Sequence, residues 1–205
     1  MIENEMDDFK EPANRNVGPR IIEDPTQSLA EYETVPIGFM IESKIDLDAL
    51  ILSGGNRLIE TPVEPTWKDY DQILSERPTS LLGRFDTSPW RVFVVFQGAE
   101  RVGGAIVIVK TPEYELLQGR QDIAILADIR VAVQARGKGF GRALFWCAAK
   151  WAESEGYTAL IAETQDSNVA ACRFYSSMGC SLGAVDLNAY GPEISEARLI
   201  WRLDL

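Results

Sequence analysis

The sequence predicts an α+β domain built on one mixed sheet, and three observations carry that reading. Residues 90–96 and 101–109 read as two strands joined by a short turn. Residues 123–133 alternate, with an apolar residue at every second position from Ile123 and with Asp128 and Arg130 between them. From there strand and helix patterns follow one another to the C-terminus, the order expected when helices cover a sheet whose strands are not all parallel. A length of 205 residues suggests one large domain or a domain with an extension, and 46% apolar against 25% charged residues is the balance of a globular chain.

Each element has its own justification. Residues 1–35 contain Pro12, Pro19, Pro25 and many acids with little periodicity, and read as an acidic N-terminal arm, partly disordered, ahead of a domain over residues 36–205. Residues 36–45 turn apolar and β-leaning through Ile37, Phe39 and Ile41, a first strand. Residues 46–80 mix short helical patterns with Gly54-Gly55, Pro62, Pro65 and Pro78, which break any long element; Trp67, Asp69, Tyr70 and Asp71 cluster here. After the hairpin, Ile123, Ile125, Ala127, Ile129, Val131 and Val133 are expected on one face of a fourth strand, with Asp128 and Arg130 on a polar side. Residues 139–155 place Phe140, Leu144, Phe145, Ala148, Trp151 and Ala152 at helical spacing, with Gly156 where a C-cap belongs. Residues 159–162 form a short strand and 168–178 a second helix closed by Gly179. Residues 180–186 and 197–203 supply two last strands.

Charge narrows the partners. Thirty-one acids against twenty bases give a formal charge of −11, which opposes binding to nucleic-acid backbones or anionic membranes and favours a cationic substrate. There is no histidine, so His-based triads, imidazole bases and His-ligated metal sites are excluded, and no metal is expected. Cys147, Cys172 and Cys180 contain no Cys-x-x-Cys pair and read as reduced thiols. The first eight residues lack the basic and apolar regions of a secretory signal, and no apolar run approaches the ~20 residues of a membrane span, so the expected compartment is the cytoplasm.

The stretch Arg136-Gly137-Lys138-Gly139-Phe140-Gly141-Arg142 runs from the fourth strand into the first helical turn. Free amides at a helix N-terminus attract anions, and glycines let backbone approach a pyrophosphate. A P-loop is excluded because Ala132 and Gly139 stand where it needs Gly and Ser or Thr; a dinucleotide fingerprint is excluded because Leu144 stands at its third Gly. A glycine-rich turn without a ligand is the alternative. About thirty residues on, Asn168, Ala171, Cys172 and Tyr175 fall at i, i+3, i+4 and i+7, one helical stripe carrying an amide and a phenol. Taken alone, Tyr175 reads as a packed aromatic.

Together these stretches resemble the GNAT acetyltransferase superfamily. Its Arg/Gln-x-x-Gly-x-Gly/Ala signature matches residues 136–141, and its Asn-x-x-Ala-x-x-x-Tyr helix matches Asn168, Ala171 and Tyr175. The resemblance implies a mostly antiparallel sheet flanked by helices and splayed between the fourth and fifth strands. It implies acetyl-CoA as co-substrate, with backbone of Ile129, Val131 and Val133 along the pantetheine, amides of residues 136–142 on the pyrophosphate and Asn168 on the pantetheine arm. Within the superfamily, residues 163–190 resemble the streptothricin acetyltransferases, at Glu163-Thr-Gln-Asp166-x-Asn168, Ala171-Cys172, Phe174-Tyr175, Gly179, Gly183-x-x-Asp186 and Tyr190. This implies acetylation of a primary amine on a small cationic molecule, a streptothricin-type antibiotic among the candidates, and with it antibiotic resistance.

Acetyl transfer needs a neutral amine. A lysine-like ammonium costs about 4.6 kcal/mol to deprotonate at neutral pH, so a carboxylate or water chain must act as base. Glu163, at a strand end, resembles the carboxylate some family members use, its alternative being a solvated acid. Asp128 is the second candidate, although Arg130 on the same face is a ready ion-pair partner. Tyr175 would protonate the leaving thiolate, uphill by only ~2 kcal/mol for a free phenol against a thiol. Trp67, Asp69, Tyr70, Asp186 and Tyr190 are the expected acceptor contacts, aromatic faces and carboxylates that suit an ammonium. Acetylation of a protein or peptide amine, and a CoA-binding module without turnover, stay open, as does a homodimer.

Overall fold

The structure is a computed structural model and describes residues 19–55, 57–191 and 194–205. In chain order its strands and helices are β1 (Arg20–Asp24), α1 (Leu29–Tyr32), β2 (Phe39–Ile45), α2 (Leu47–Leu52), β3 (Glu60–Lys68), β4 (Arg91–Gln97), β5 (Glu100–Ile108), β6 (Ile123–Val131), α3 (Phe140–Ser154), β7 (Ala159–Gln165), α4 (Val169–Ser177), β8 (Ser181–Asp186) and β9 (Arg198–Asp204), with single 3-10 turns between them. Seven strands form one sheet in the order β1-β4-β5-β6-β7-β9-β8, while β2 and β3 form a separate hairpin. Every neighbouring pair in the large sheet is antiparallel except β6 with β7. The α+β fold with a mixed, mostly antiparallel sheet is therefore the one the sequence predicts.

Two apolar layers sandwich the sheet. One face packs against α2, α3 and α4 through residues such as Phe93, Leu126, Leu144, Phe145, Leu160 and Trp201. The other packs Val92, Ile106, Ile108 and Ile125 against Leu29, Tyr32, Trp90 and Leu117. Helix α3 buries Leu144 and Phe145, each contributing ~1.5–3 kcal/mol of burial, so the turn at its N-terminus is held on a rigid element.

Two elements depart from the sequence reading. The expected arm enters the domain from Arg20: β1 is an edge strand on β4, and Tyr32 is 1% exposed in the core; residues 1–18 lie outside the described residues. Strand β3 lies in the proline-broken region, where exposure on both sides and the lack of partners beyond β2 let Pro62 and Pro65 stay in a strand.

Strand β6 carries the feature that makes the site. Its register with β5 shifts between Ile106 opposite Asp128 and Val107 opposite Leu126, leaving Ala127 as a bulge. The bulge inverts the alternation. Ile123, Ile125 and Ala127 join the outer layer, whereas Ile129 and Val131 join the helix layer. The single apolar face expected for residues 123–133 is thus two half-faces, and Arg130, expected on a polar side, is 2% exposed. The strand ends at Val131, and Val133 stands in a 3-10 turn, 57% exposed.

Candidate active site

Parallel pairing of β6 with β7 ends at Leu126 opposite Ala162, although both strands run on, to Val131 and Gln165. Past that point the strands part, and a cleft of about 530 Å³ opens between them. Ile129 and Val131 line it from β6, Glu163, Thr164 and Gln165 from β7, and Asn168, Ala171 and Tyr175 from α4. Ile37, Phe39, Tyr114 and Leu116 line it as well.

At the mouth, Gly137 and Gly139 have φ of 74° and 87°, the left-handed backbone that glycine adopts without strain. Gly139 caps α3 without a side-chain bond, and the first helical hydrogen bond is that of Ala143 N–H to Gly139 O, so the amides of residues 140–142 have no partner within the helix. A Cβ at Gly139 would project into open space. The Arg136 side chain is used internally: Nε donates to Val131 O at 2.9 Å and Nη2 to Gly38 O at 3.1 Å. Lys138 and Arg142 flank this mouth as exposed bases, and Phe140 is buried, leaving only its backbone available.

Asn168 is the N-cap of α4: its Oδ1 accepts from Ala171 N–H at 3.1 Å, which turns Nδ2 toward the cleft and Tyr70 Oη. Tyr175 stands one face on, 5% exposed, its ring against Phe145, Phe174 and Trp201. Burial holds its phenol well above the ordinary pKa, with the Asp128 charge adding to the effect. Thr164 Oγ1 lies buried on the cleft wall with no partner among the described residues. Uncapped amides, an open glycine mouth and an orphaned hydroxyl fit a long polar ligand with a phosphate end, as coenzyme A is.

The two candidate bases differ. Asp128 is fully engaged: Arg130 Nε and Nη2 donate to it at 3.0 and 2.6 Å, and Tyr32 Oη donates at 2.6 Å. Arg130 also holds Asp71 at 2.9 Å and lies over the Tyr32 ring. Asp128 therefore belongs to a buried ion cluster tying β6 to α1 and to the 3-10 turn Tyr70–Gln72. Glu163 accepts from Tyr190 Oη at 2.8 Å and keeps its other oxygen 3.9 Å from Arg198. Burial lifts its pKa above the ordinary carboxylate value, while Tyr190 and Arg198 pull the other way. Of the two, Glu163 carries the fewer hydrogen bonds, a single one at Oε1. Burial raises both Cys172 and Cys180 to about 12, so neither is a thiolate nucleophile at neutral pH.

Of the expected acceptor contacts, Tyr70 and Tyr190 line the cleft and three residues do not. Trp67 packs over Gly38, where a Cβ would meet its ring at 2.4 Å. Asp69 caps the next turn by accepting from Asp71 N–H at 3.0 Å, and Asp186 pairs with Arg198 at 3.2 Å. A second cavity of about 460 Å³ on the outer face shares Tyr114, Leu116, Ala127, Asp128 and Glu163 with the cleft. Glu113, Glu115 and Phe85 are also in its wall, at positions with no periodic signal in the sequence.

A splayed sheet with a glycine mouth and a tyrosine-bearing helix defines a coenzyme A-dependent acyltransferase class of fold. The pattern of the Acetyltransferase (GNAT) family matches residues 56–180, more than half of the chain, and the protein belongs to that family. It is 40% identical over 80 residues to streptothricin acetyltransferase A of Bacillus subtilis (strain 168), covering 38% of this chain and 46% of that protein. It is 38% identical over 90 residues to a streptothricin acetyltransferase of Escherichia coli, covering 42% and 52%. The matched segment thus spans about half the length of these curated relatives. Among solved structures it resembles a Bacillus anthracis str. Ames protein described as a streptothricin acetyltransferase and solved with acetyl coenzyme A, with TM-score 0.69 and 19% identity over 91% of this chain and 99% of that one. A nourseothricin acetyltransferase matches with TM-score 0.67 and 22% identity over 92% and 99%. At those identities the likeness is one of fold.

Proposed function

We propose that the protein transfers the acetyl group of acetyl-CoA directly to a primary amine of a small cationic molecule of the streptothricin type. The parting of β6 from β7 next to the uncapped α3 N-terminus is the observation that carries this reading. The amides of residues 137–142 would hold the pyrophosphate, that of Arg136 being taken by Val133 O, and the pantetheine would lie along the backbone of Ile129 and the N–H of Val131, whose carbonyl Arg136 holds, with Asn168 Nδ2 on its amide groups. Bound acetyl-CoA supplies the thioester. Glu163 takes the proton of the ammonium, and Tyr175 gives its phenolic proton to the departing sulfur. Burial raises the Tyr175 phenol and so keeps its proton in place until the sulfur departs.

The acceptor would enter through the outer cavity, which reaches Glu163 from the face opposite α4. Glu113, Glu115, Glu163 and Asp128 against Arg84 give that cavity an anionic lining, and Phe85 and Tyr114 offer ring faces to an ammonium. The test is a screen of acetyl-CoA consumption by the purified protein with streptothricin, aminoglycosides, polyamines and peptides. Activity confined to peptides would replace the small-molecule reading, and binding without consumption would leave a CoA-binding module.

A further inference from the structure

Five polar groups form one chain across the cleft, and every link donates in the same direction. Asn168 Nδ2 lies 3.5 Å from Tyr70 Oη; Tyr70 Oη donates to Gln165 Oε1; Gln165 Nε2 donates to Tyr190 Oη at 3.0 Å; Tyr190 Oη donates to Glu163 Oε1 at 2.8 Å. The direction is not free. Asn168 Oδ1 is committed to the α4 cap, so its amide can only donate onward. Gln165 accepts at one end and donates at the other, and a phenol that accepts from an amide has its own proton left for the carboxylate. Bonds aligned in series polarise one another.

We infer that Tyr190 is a positioning residue: it aims its hydroxyl proton at Glu163, in a direction set by the α4 cap through Tyr70 and Gln165, and so holds Glu163 as the oriented carboxylate that an amine base must be. This rests on the reading of Glu163 as base, and it replaces the acceptor-contact role expected for Tyr70 and Tyr190. Other groups face Glu163 as well. Arg198 on β9 favours its charged form; Glu115 on the loop after β5 opposes it; Tyr114 and Asp128 share its cavity. Tyr190 is the one in hydrogen-bond contact with Oε1 among the described residues.

The experiment follows Glu163 directly, by carboxyl ¹³C NMR titration of the full-length protein, with Glu163→Gln identifying the signal. In Tyr190→Phe the ring stays and one donor to the carboxylate is lost, so the titration midpoint should rise by about one pH unit, the scale of a lost hydrogen bond to a charged group. The acid limb of kcat/KM should move up with it, while the KM for acetyl-CoA stays. Gln165→Met leaves Tyr190 in place and removes the amide that aims it, and should move the midpoint the same way by less. A midpoint unmoved in both variants overturns the inference. A midpoint that moves while the acid limb does not would uphold the role of Tyr190 and remove Glu163 as base.

Discussion

Leu126 and Ala162 are the last partners in the parallel pairing of β6 with β7, and the very next residue of β6, Ala127, is the bulge. The two events have one consequence. The bulge adds twist and turns β6 away from its neighbour, so backbone that would have paired with β7 faces a cleft instead. The same inversion sends Ile129 and Val131 toward the helix layer and Asp128 and Arg130 into the ion cluster under Tyr32.

The mouth of the cleft gives the first prediction. Gly139→Tyr should bring side-chain atoms where the pyrophosphate would be held and cut CoA affinity severely. A non-glycine residue at this φ costs roughly 1–2 kcal/mol, which the fold can bear. Calorimetry on the folded variant decides: unchanged CoA binding would remove the loop from the site.

Tyr175→Phe keeps the ring among Phe145, Phe174 and Trp201 and deletes only the proton. A drop in kcat of about 10²-fold or more, with little change in Tm, is the scale of a lost general acid. Near-normal kcat would assign the proton to water.

For Glu163 the sign follows from burial. A carboxyl lifted above its ordinary value is favoured neutral by the fold, so its stabilising share is present at low pH and is lost as pH rises through the raised value. As a base it must be ionised. kcat/KM should therefore climb through a limb that lies above the ordinary carboxylate range, and Glu163→Gln should flatten the limb and lower the rate without lowering Tm at neutral pH. A limb that persists in Glu163→Gln would point to another group.

Arg130→Met should act on the fold. Its side chain is 1% exposed between Asp71 and Asp128, and removing one partner of a buried pair costs about 3–5 kcal/mol. For a domain of this size that is a fall in Tm on the order of 10 °C, measurable by scanning calorimetry. A variant as stable as the parent would mean that the carboxylates regain water.

Much of this was legible in the sequence, and the gaps have physical causes. The hairpin, α3, α4 and their closing glycines follow from alternation, helical spacing and left-handed caps, and the two motifs mark the mouth and the helix of the cleft. The bulge at Ala127 was hidden because apolar residues continue at every second position through it, so the pattern looks unbroken while the faces exchange. Strand β3 was hidden by Pro62 and Pro65, β1 by an exposed edge that needs no apolar alternation. Arg130 reads as a surface charge because its partners Asp71 and Val35 are 59 and 95 residues away. For the same reason Glu113, Glu115 and the Gln165 link join the site only once the chain has folded.

Release of free CoA thiol by the purified protein with acetyl-CoA and a streptothricin-class amine, followed across ionic strength, tests acetyl transfer to a small cationic amine. Rapid CoA release that depends on the amine is expected, with kcat/KM falling steeply as salt screens the −11 charge beyond ~8 Å at physiological ionic strength. A neutral amine that serves equally well, with a rate indifferent to salt, would contradict the cationic acceptor. CoA release with no amine tested, despite tight acetyl-CoA binding, would contradict the transferase itself.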